Sequence, residues 1–151
     1  MNRIQSASDP KRILIVDDNR MGLSARRNVL EALGHHVSTA NCGSEALAQF
    51  DAGAAFDLMV TDFKMPEMDG VVLITEVRKR KPELPIVLIS GFTDTLGLNE
   101  ENTNADVVLQ KSNNEVTQLV RSVSRLLTRP QKKPAGSQRT GQSGTTKRRL
   151  S

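Results

Sequence analysis

Five short apolar segments alternate along the chain with five stretches whose apolar residues follow helical spacing. The apolar segments have the length and composition of β-strands and comprise residues 13–16, 37–40, 58–60, 86–89 and 107–109. Strands that alternate with helices favour a parallel sheet, because each parallel connection has to cross over one face of the sheet. We therefore expect an α/β protein with a doubly wound, five-stranded parallel sheet and helices on both faces.

The polarity of the five segments indicates their order in the sheet. Residues 13–16, 58–60 and 86–89 are apolar throughout, as is typical of central strands that are buried on both faces. The other two segments are shorter or more polar at their ends, which suits the flanks. With right-handed crossovers, this arrangement predicts the strand order 2-1-3-4-5. In such a sheet, ligands bind at the carboxyl ends of the strands, between the first and the third.

Apolar stripes and capping residues define the helices that connect these strands. In the first helix the stripe consists of Leu23, Leu30 and Leu33. Gly34 follows as a stop signal. The last helix has a long apolar stripe preceded by Ser112 and Glu115, which have the spacing of a capping box. Residues 94–102 hold only two large apolar side chains and a glycine, and therefore predict a short fourth helix.

The charge is distributed unevenly along the 151 residues. The formal net charge is +4, but six of the 21 basic residues lie after residue 129, where there is no acidic residue. The remaining 15 basic and 17 acidic residues give residues 1–129 a net charge of −2. We expect a flexible leader at 1–10, one folded domain at 11–129 and a basic disordered tail at 130–151. A basic tail is compatible with nucleic-acid binding and also with simple solvation.

The amino-acid composition indicates the cellular compartment of the protein and argues against some classes of ligand. A single cysteine excludes an intramolecular disulfide and suits a reducing compartment. No apolar run approaches the roughly 18 residues of a membrane-spanning helix, and the first residues lack the apolar core of a signal peptide. We therefore predict a cytoplasmic protein without a membrane partner. Aromatic residues make up only 3% of the chain, which argues against stacking platforms for single-stranded nucleic acid.

Three acidic residues fall at the carboxyl ends of two predicted central strands. Asp17 and Asp18 directly follow the first strand, and Asp62 ends the third. Three carboxylates at one edge repel one another unless a cation lies among them or some stay protonated. Mg²⁺ is the best candidate, because it prefers oxygen ligands and often bridges carboxylates to phosphate oxygens.

Two further polar residues end neighbouring strands at the same edge. Ser90 ends the fourth strand and Lys111 follows the fifth. An ammonium group and a hydroxyl can hold the oxygens of a phosphoryl group while a metal holds another. Asp62 is then the central candidate for a nucleophile, since carboxylates can form acyl phosphates. Each residue alone is commonly a turn, cap or solvated residue, and it is their joint placement that indicates a site.

These residues lie in segments that resemble the receiver domains of response regulators in two-component signalling, a CheY-like superfamily. The resemblance rests on ILIVDDN, DLMVTDFKMPEMDG, PIVLISG and VVLQKS, and it spans residues 11–129. It implies a flavodoxin-like receiver domain in which Asp62 accepts a phosphoryl group from a sensor histidine kinase or phosphotransfer protein. It also implies Mg²⁺ held by Asp17, Asp18, Asp62 and the backbone carbonyl of Lys64. Ser90 and Lys111 would contact the phosphoryl oxygens.

The chain departs from the family pattern near Lys111. Ser112 occupies the position where the family usually has a proline, and Val108 occupies the position of an aromatic switch residue. Lys64, two residues after Asp62, is a third unusual residue. Its ammonium group is expected either to approach the acidic pocket, where it would compete with metal or slow the attack of water on the phosphoryl group, or to be solvated.

The sequence favours a single-domain response regulator that switches a surface for a downstream protein and is not a turnover enzyme. No further periodic apolar segment follows Arg129, so no output domain is expected in this chain. The alternative is a degenerate receiver that acts as a phosphorylation-independent interaction module. A hydrolytic phosphatase would need a second acid at the position of Lys64 to protonate the leaving group. A nucleic-acid role would rest on the basic tail alone.

Overall fold

The computed structural model describes residues 10–91 and 97–128. Within these residues the strands are β1 (Arg12–Val16), β2 (His36–Ala40), β3 (Leu58–Asp62), β4 (Ile86–Ser90) and β5 (Val107–Gln110). The helices are α1 (Arg20–Ala32), α2 (Gly43–Asp51), α3 (Gly70–Arg80), α4 (Glu100–Thr103) and α5 (Glu115–Thr128). Residues 1–9 of the leader predicted at 1–10, and the whole of the predicted tail at 130–151, lie outside the described residues.

All five strands form one parallel sheet in the order β2-β1-β3-β4-β5, which confirms the predicted topology. The strands β3 and β4 are buried along their whole length, and only Arg12 of β1 is exposed. This explains why those three segments are apolar throughout, whereas β2 starts at an exposed histidine and β5 ends at an exposed glutamine.

Two separate apolar cores lie on the two faces of the sheet. Leu14 and Val16 of β1 pack with side chains of α2 and α3, among them Phe50 and Leu73. The alternate residues of β1, Ile13 and Ile15, pack on the other face. Their neighbours there include Leu23 and Leu30 of α1 and Leu119 and Val123 of α5. The period of two along a strand accounts for this division. Helices therefore cover both faces, as predicted.

The first helix differs in part from its prediction. Leu23 and Leu30 are buried, but Leu33 is the C-cap residue and 45% exposed, so it does not continue the apolar stripe. Gly34 follows with φ +97°, a conformation that favours glycine and ends the helix as expected. The buried stripe instead includes Arg26, which lies between the two leucines at helical spacing.

The predicted capping box before the last helix is wrong. The Ser112 hydroxyl accepts a hydrogen bond from the Asn114 N–H at 3.2 Å, and the Glu115 carboxylate bonds to Arg26 on α1. The fourth helix is short, as expected, and begins only at Glu100; residues 94–96 of the predicted segment lie outside the described residues. Asn99 and Asn102 form the capping box that stabilises its start.

Candidate functional site

Parallel pairing brings three carboxylates together at the carboxyl edge of the sheet. Val16 of β1 is paired with Thr61 of β3, so the residues that follow each, Asp17 and Asp62, lie side by side. Oxygen atoms of Asp17, Asp18 and Asp62 all lie within 4.8 Å of one another. Asp17 is 1% exposed and Asp62 is 3% exposed, whereas Asp18 faces solvent. Such a set of oxygen donors fits a hard divalent cation.

Lys111 supplies a positive charge directly at Asp62. Its Nζ lies 2.8 Å from Asp62 Oδ1, and its side chain remains 42% exposed. Asp62 Oδ1 is buried and has no well-aligned hydrogen bond to another described residue, so the ammonium contributes charge more than an aligned bond. Burial raises the pKa of Asp62, and Asp17 adds to this, while Lys111 opposes it. The carboxylate is therefore costly to keep charged without a further cation.

Asp17 is held by two donors, one of which the sequence analysis missed. Its Oδ1 accepts a hydrogen bond from the Asn19 N–H at 2.9 Å, and its Oδ2 lies 2.5 Å from Nη1 of Arg26. Arg26 also donates from Nε to Glu115 Oε2 at 2.8 Å. Burial disfavours the guanidinium charge, but Glu115 and Asp17 outweigh it, so the pKa of Arg26 is raised. The signal in the sequence that could have identified Arg26 is the presence of a charged residue on the apolar stripe of a helix.

Ser90 and Lys111 lie at the same edge as the acids. Ser90 is the last residue of β4 and is 1% exposed. Its carbonyl accepts a hydrogen bond from the Lys111 N–H at 3.0 Å, which fixes the start of the loop after β5 beside the end of β4. The sequence prediction that Ser90, Lys111 and the three acids meet at one edge therefore agrees with the described geometry.

An open cleft of about 660 Å³ lies above this edge. Asp18, Asp62, Lys64 and Lys111 contribute polar groups to its wall, and Gly91 lines it as well. Lys64 is exposed and belongs to the loop between β3 and α3. A small anionic group can therefore reach Asp62 from solvent through this cleft.

The unusual positions near Lys111 have local explanations. The Lys111–Ser112 peptide is trans, and the Ser112 hydroxyl binds the Asn114 N–H within the loop. Val108 is half-buried against the core that contains α3, and its N–H donates to Glu100 Oε2 at 2.9 Å. This bond ties β5 to the short helix α4.

The chain belongs to the response regulator receiver domain family, whose sequence profile matches residues 13–123. It is 35% identical over 81 residues to the transcriptional regulatory protein ZraR of Salmonella typhimurium. The matched region covers 54% of this chain and 18% of that protein. It is 38% identical over 82 residues to the chemotaxis protein CheY1 of Helicobacter pylori, which covers 52% of this chain and 66% of that protein. The chain thus spans less than a fifth of the length of ZraR.

Solved structures show the same fold. The response regulator TrrA of Thermotoga maritima, solved in complex with Mg²⁺ and BeF, matches with a TM-score of 0.69 at 33% identity. That match covers 78% of this chain and 99% of the other. The chemotaxis response regulator CheY4 of Vibrio cholerae also gives a TM-score of 0.69, at 29% identity, covering 79% of this chain and 100% of the other.

Membership in this family sets the general role of the chain. Receiver domains are signalling domains of two-component systems, not turnover enzymes, and they bind Mg²⁺ at an acidic pocket. They interact with histidine kinases or phosphotransfer proteins and with downstream targets. Among the described residues, none of the helices has the length and apolar character needed to cross a membrane.

Proposed function

We propose that this chain is a single-domain response regulator that accepts a phosphoryl group on Asp62 in a magnesium-dependent reaction. The observation that carries the proposal is the contact of 2.8 Å between Lys111 Nζ and Asp62 Oδ1 inside a cluster of three carboxylates. The phosphoryl donor is a phosphohistidine on a sensor histidine kinase or phosphotransfer protein. Residues 11–129 form the receiver domain, flanked by the leader at 1–10 and the basic tail at 130–151.

The proposed transfer forms one bond and breaks one. A carboxylate oxygen of Asp62 forms a bond to phosphorus while the bond between phosphorus and the donor imidazole nitrogen breaks, and that nitrogen takes up a proton. Lys111 and the Ser90 hydroxyl bind the oxygens of the transferred group. The nucleophile needs no general base, because Asp62 attacks as a carboxylate.

Mg²⁺ fits the oxygen donors at this edge. Asp17, Asp18, Asp62 and the backbone carbonyl of Lys64 would hold it, and it would neutralise negative charge on the acids and the phosphoryl oxygens. The burial that raises the pKa of Asp62 supports this assignment, because a neighbouring divalent cation would keep the carboxylate charged at neutral pH. The Mg²⁺–BeF complex of TrrA supports it by relationship.

Phosphorylation would act as a switch through local charge. A phosphoryl group adds about −1.5 to −2 charges at Asp62, where Lys111 Nζ already lies 2.8 Å from Oδ1. States in which Lys111 and Ser90 move toward the new oxygens are thereby favoured, and their population grows. The output is a changed surface that binds a downstream protein.

The test uses the full chain with Mg²⁺ and acetyl phosphate, and mass spectrometry detects the product. We expect a gain of one phosphate in the parent protein and in the control variant Asp51→Ala. Asp51 is an exposed acid that pairs with Arg80 and does not belong to the cluster of three carboxylates. We expect no gain in Asp62→Ala, or in the parent protein with a chelator.

Two other outcomes would contradict the proposal. Absence of phosphate from the parent protein under all these conditions would favour the degenerate module, for which the Ser112 and Val108 departures are the main argument. Continuous release of phosphate at enzymatic turnover would favour a hydrolytic phosphatase.

A further inference from the structure

The carboxyl edge of the sheet where Asp17, Asp18 and Asp62 meet, called the acidic edge below, has a second cation besides the partly exposed Lys111. Arg26 is 5% exposed, and its guanidinium makes two separate charged contacts, one with Asp17 and one with Glu115. Glu115 lies 89 positions away in the sequence, at the first residue of α5. The same side chain therefore joins the acid cluster to the start of a helix on the α1 and α5 face of the sheet.

The space around this contact is built for the pair. An added Cβ on Gly22, one turn earlier in α1, would lie 2.9 Å from Asp17 Oδ2 and 3.7 Å from Arg26 Nη1. Any larger residue at position 22 would push the two charged groups. Because the Asn19 N–H binds the other oxygen, both oxygens of Asp17 already have donors. The pair is thus packed on all sides rather than being a flexible surface contact.

Arg26 and a divalent cation would share the same carboxylate. A metal bound to the Asp17 carboxylate would weaken the contact between Asp17 and Arg26. The guanidinium charge would in turn repel the metal. Glu115 is the second anion that compensates Arg26. A shift of Arg26 away from Asp17 would strengthen its reliance on Glu115, so occupancy at the edge of the sheet would be felt at the start of α5.

We propose that Arg26 is a positioning residue that sets the affinity of the acidic edge for Mg²⁺ and couples metal occupancy to α5 through Glu115. This inference rests on the proposed role of Asp17 in holding the metal. It differs from that role because it assigns a function to a side chain outside the acid cluster and outside the proposed phosphoryl contacts.

Charge predicts opposite effects for two substitutions in the full chain. In Arg26→Met the cation is removed, so Mg²⁺ affinity measured by titration calorimetry should rise tenfold or more. In Glu115→Gln the compensation of Arg26 is reduced, so Mg²⁺ affinity should fall several-fold. The control is Arg27→Met, which removes an exposed cation paired with Glu31 at 3.2 Å on the solvent side of α1, and which should leave the affinity unchanged.

A second measurement follows the coupling itself. Addition of Mg²⁺ should shift backbone amide resonances at the start of α5 in the parent protein, and these shifts should shrink in Glu115→Gln while shifts at Asp18 persist. A purely structural ion pair would lower stability in both variants but would not move Mg²⁺ affinity in opposite directions. Thermal unfolding of Arg26→Met should also show a larger gain from added Mg²⁺ than that of the parent protein, because Asp17 has lost its partner.

The outcomes separate this inference from the proposed function. If the parent protein accepts phosphate on Asp62 with Mg²⁺ but Arg26→Met binds Mg²⁺ no more tightly than the parent, the inference is wrong and the function stands. If Arg26→Met does not fold, an unchanged or increased affinity in Glu115→Gln overturns the inference. If the parent protein binds no Mg²⁺ at millimolar concentration, both are overturned.

Discussion

Substitution of Gly70 by alanine should destabilise the domain even though alanine is the better helix former. Gly70 is the first residue of α3, and its φ does not lie in the left-handed region, so backbone freedom is not what the position requires. The requirement is space. A Cβ there would overlap the carbonyl oxygen of Asp62 and would lie 2.8 Å from Leu88 Cδ1 and 3.0 Å from Phe63 Cα.

The expected cost follows from what has to move. Two of the three obstructing atoms are backbone atoms, one in the last residue of β3 and one in the residue after it, and backbone cannot turn away as a side chain can. Overpacking of this kind costs about 1–3 kcal/mol. The hydrogen bond of 2.7 Å from the Gly70 N–H to the Phe63 carbonyl would also be strained, at about 1 kcal/mol. Helix propensity returns less than about 1 kcal/mol. The net loss should be about 1–3 kcal/mol.

Urea denaturation followed by circular dichroism measures this loss. With a slope of about 1–3 kcal/mol/M, the midpoint should fall by roughly 1 M with little change in slope. Gly43→Ala is the matched control, because Gly43 is also the first residue of a buried helix start but its nearest obstacle is the flexible Met68 side chain, with Sδ at 2.5 Å. A Gly70→Ala variant as stable as Gly43→Ala would refute the reasoning.

Three further predictions concern the site and the sheet. Burial raises the pKa of Asp62 in the folded protein, so the neutral variant Asp62→Asn should be more stable than the parent protein at pH 7 in a chelator. The difference in the free energy of unfolding should shrink as the pH falls through that pKa. A difference that grows in acid would contradict this. Lys64→Asn should shorten the half-life of the phosphorylated protein, measured by loss of phosphate after the donor is removed. An unchanged half-life would mean that Lys64 does not slow the attack of water on the phosphoryl group. Arg78→Met should lower the free energy of unfolding by about 2–3 kcal/mol in urea titrations, because Arg78 donates to the Leu84 and Asn104 carbonyls and to Asp106. A change below about 0.5 kcal/mol, the size of an ordinary surface substitution, would show that water replaces these hydrogen bonds.

The sheet could be predicted from sequence because its information is local. Continuous apolar runs mark β1, β3 and β4, and the residues directly after them have to lie at the carboxyl edge. The positions of Asp17 and Asp62 follow from this rule, and the position of Lys111 follows when the rule is applied to the shorter segment of β5. The described geometry brings the three residues together. The roles of these residues remain predictions until the phosphorylation experiment is done.

The contacts that sequence reasoning missed are those made by long side chains. Arg26 is charged, so a count of apolar residues leaves it off the buried stripe of α1, although its spacing from Leu23 and Leu30 places it there. Glu115 has the spacing of a capping residue, but the buried cation on α1 attracts its carboxylate more strongly than a backbone N–H does. Leu33 has the spacing of the apolar stripe, yet α1 ends before it.

The alternation of side chains along β1 makes this one strand a reporter on both halves of the molecule. Leu14 belongs to the core that contains α2 and α3, and Ile15 belongs to the core that contains α1 and α5. Selective methyl labelling of these two residues would give neighbouring resonances that sense opposite sides. A structural change that extends from the acidic edge to α5 would shift the Ile15 methyl resonances and leave those of Leu14 unchanged. One spectrum would therefore show which face of the sheet responds.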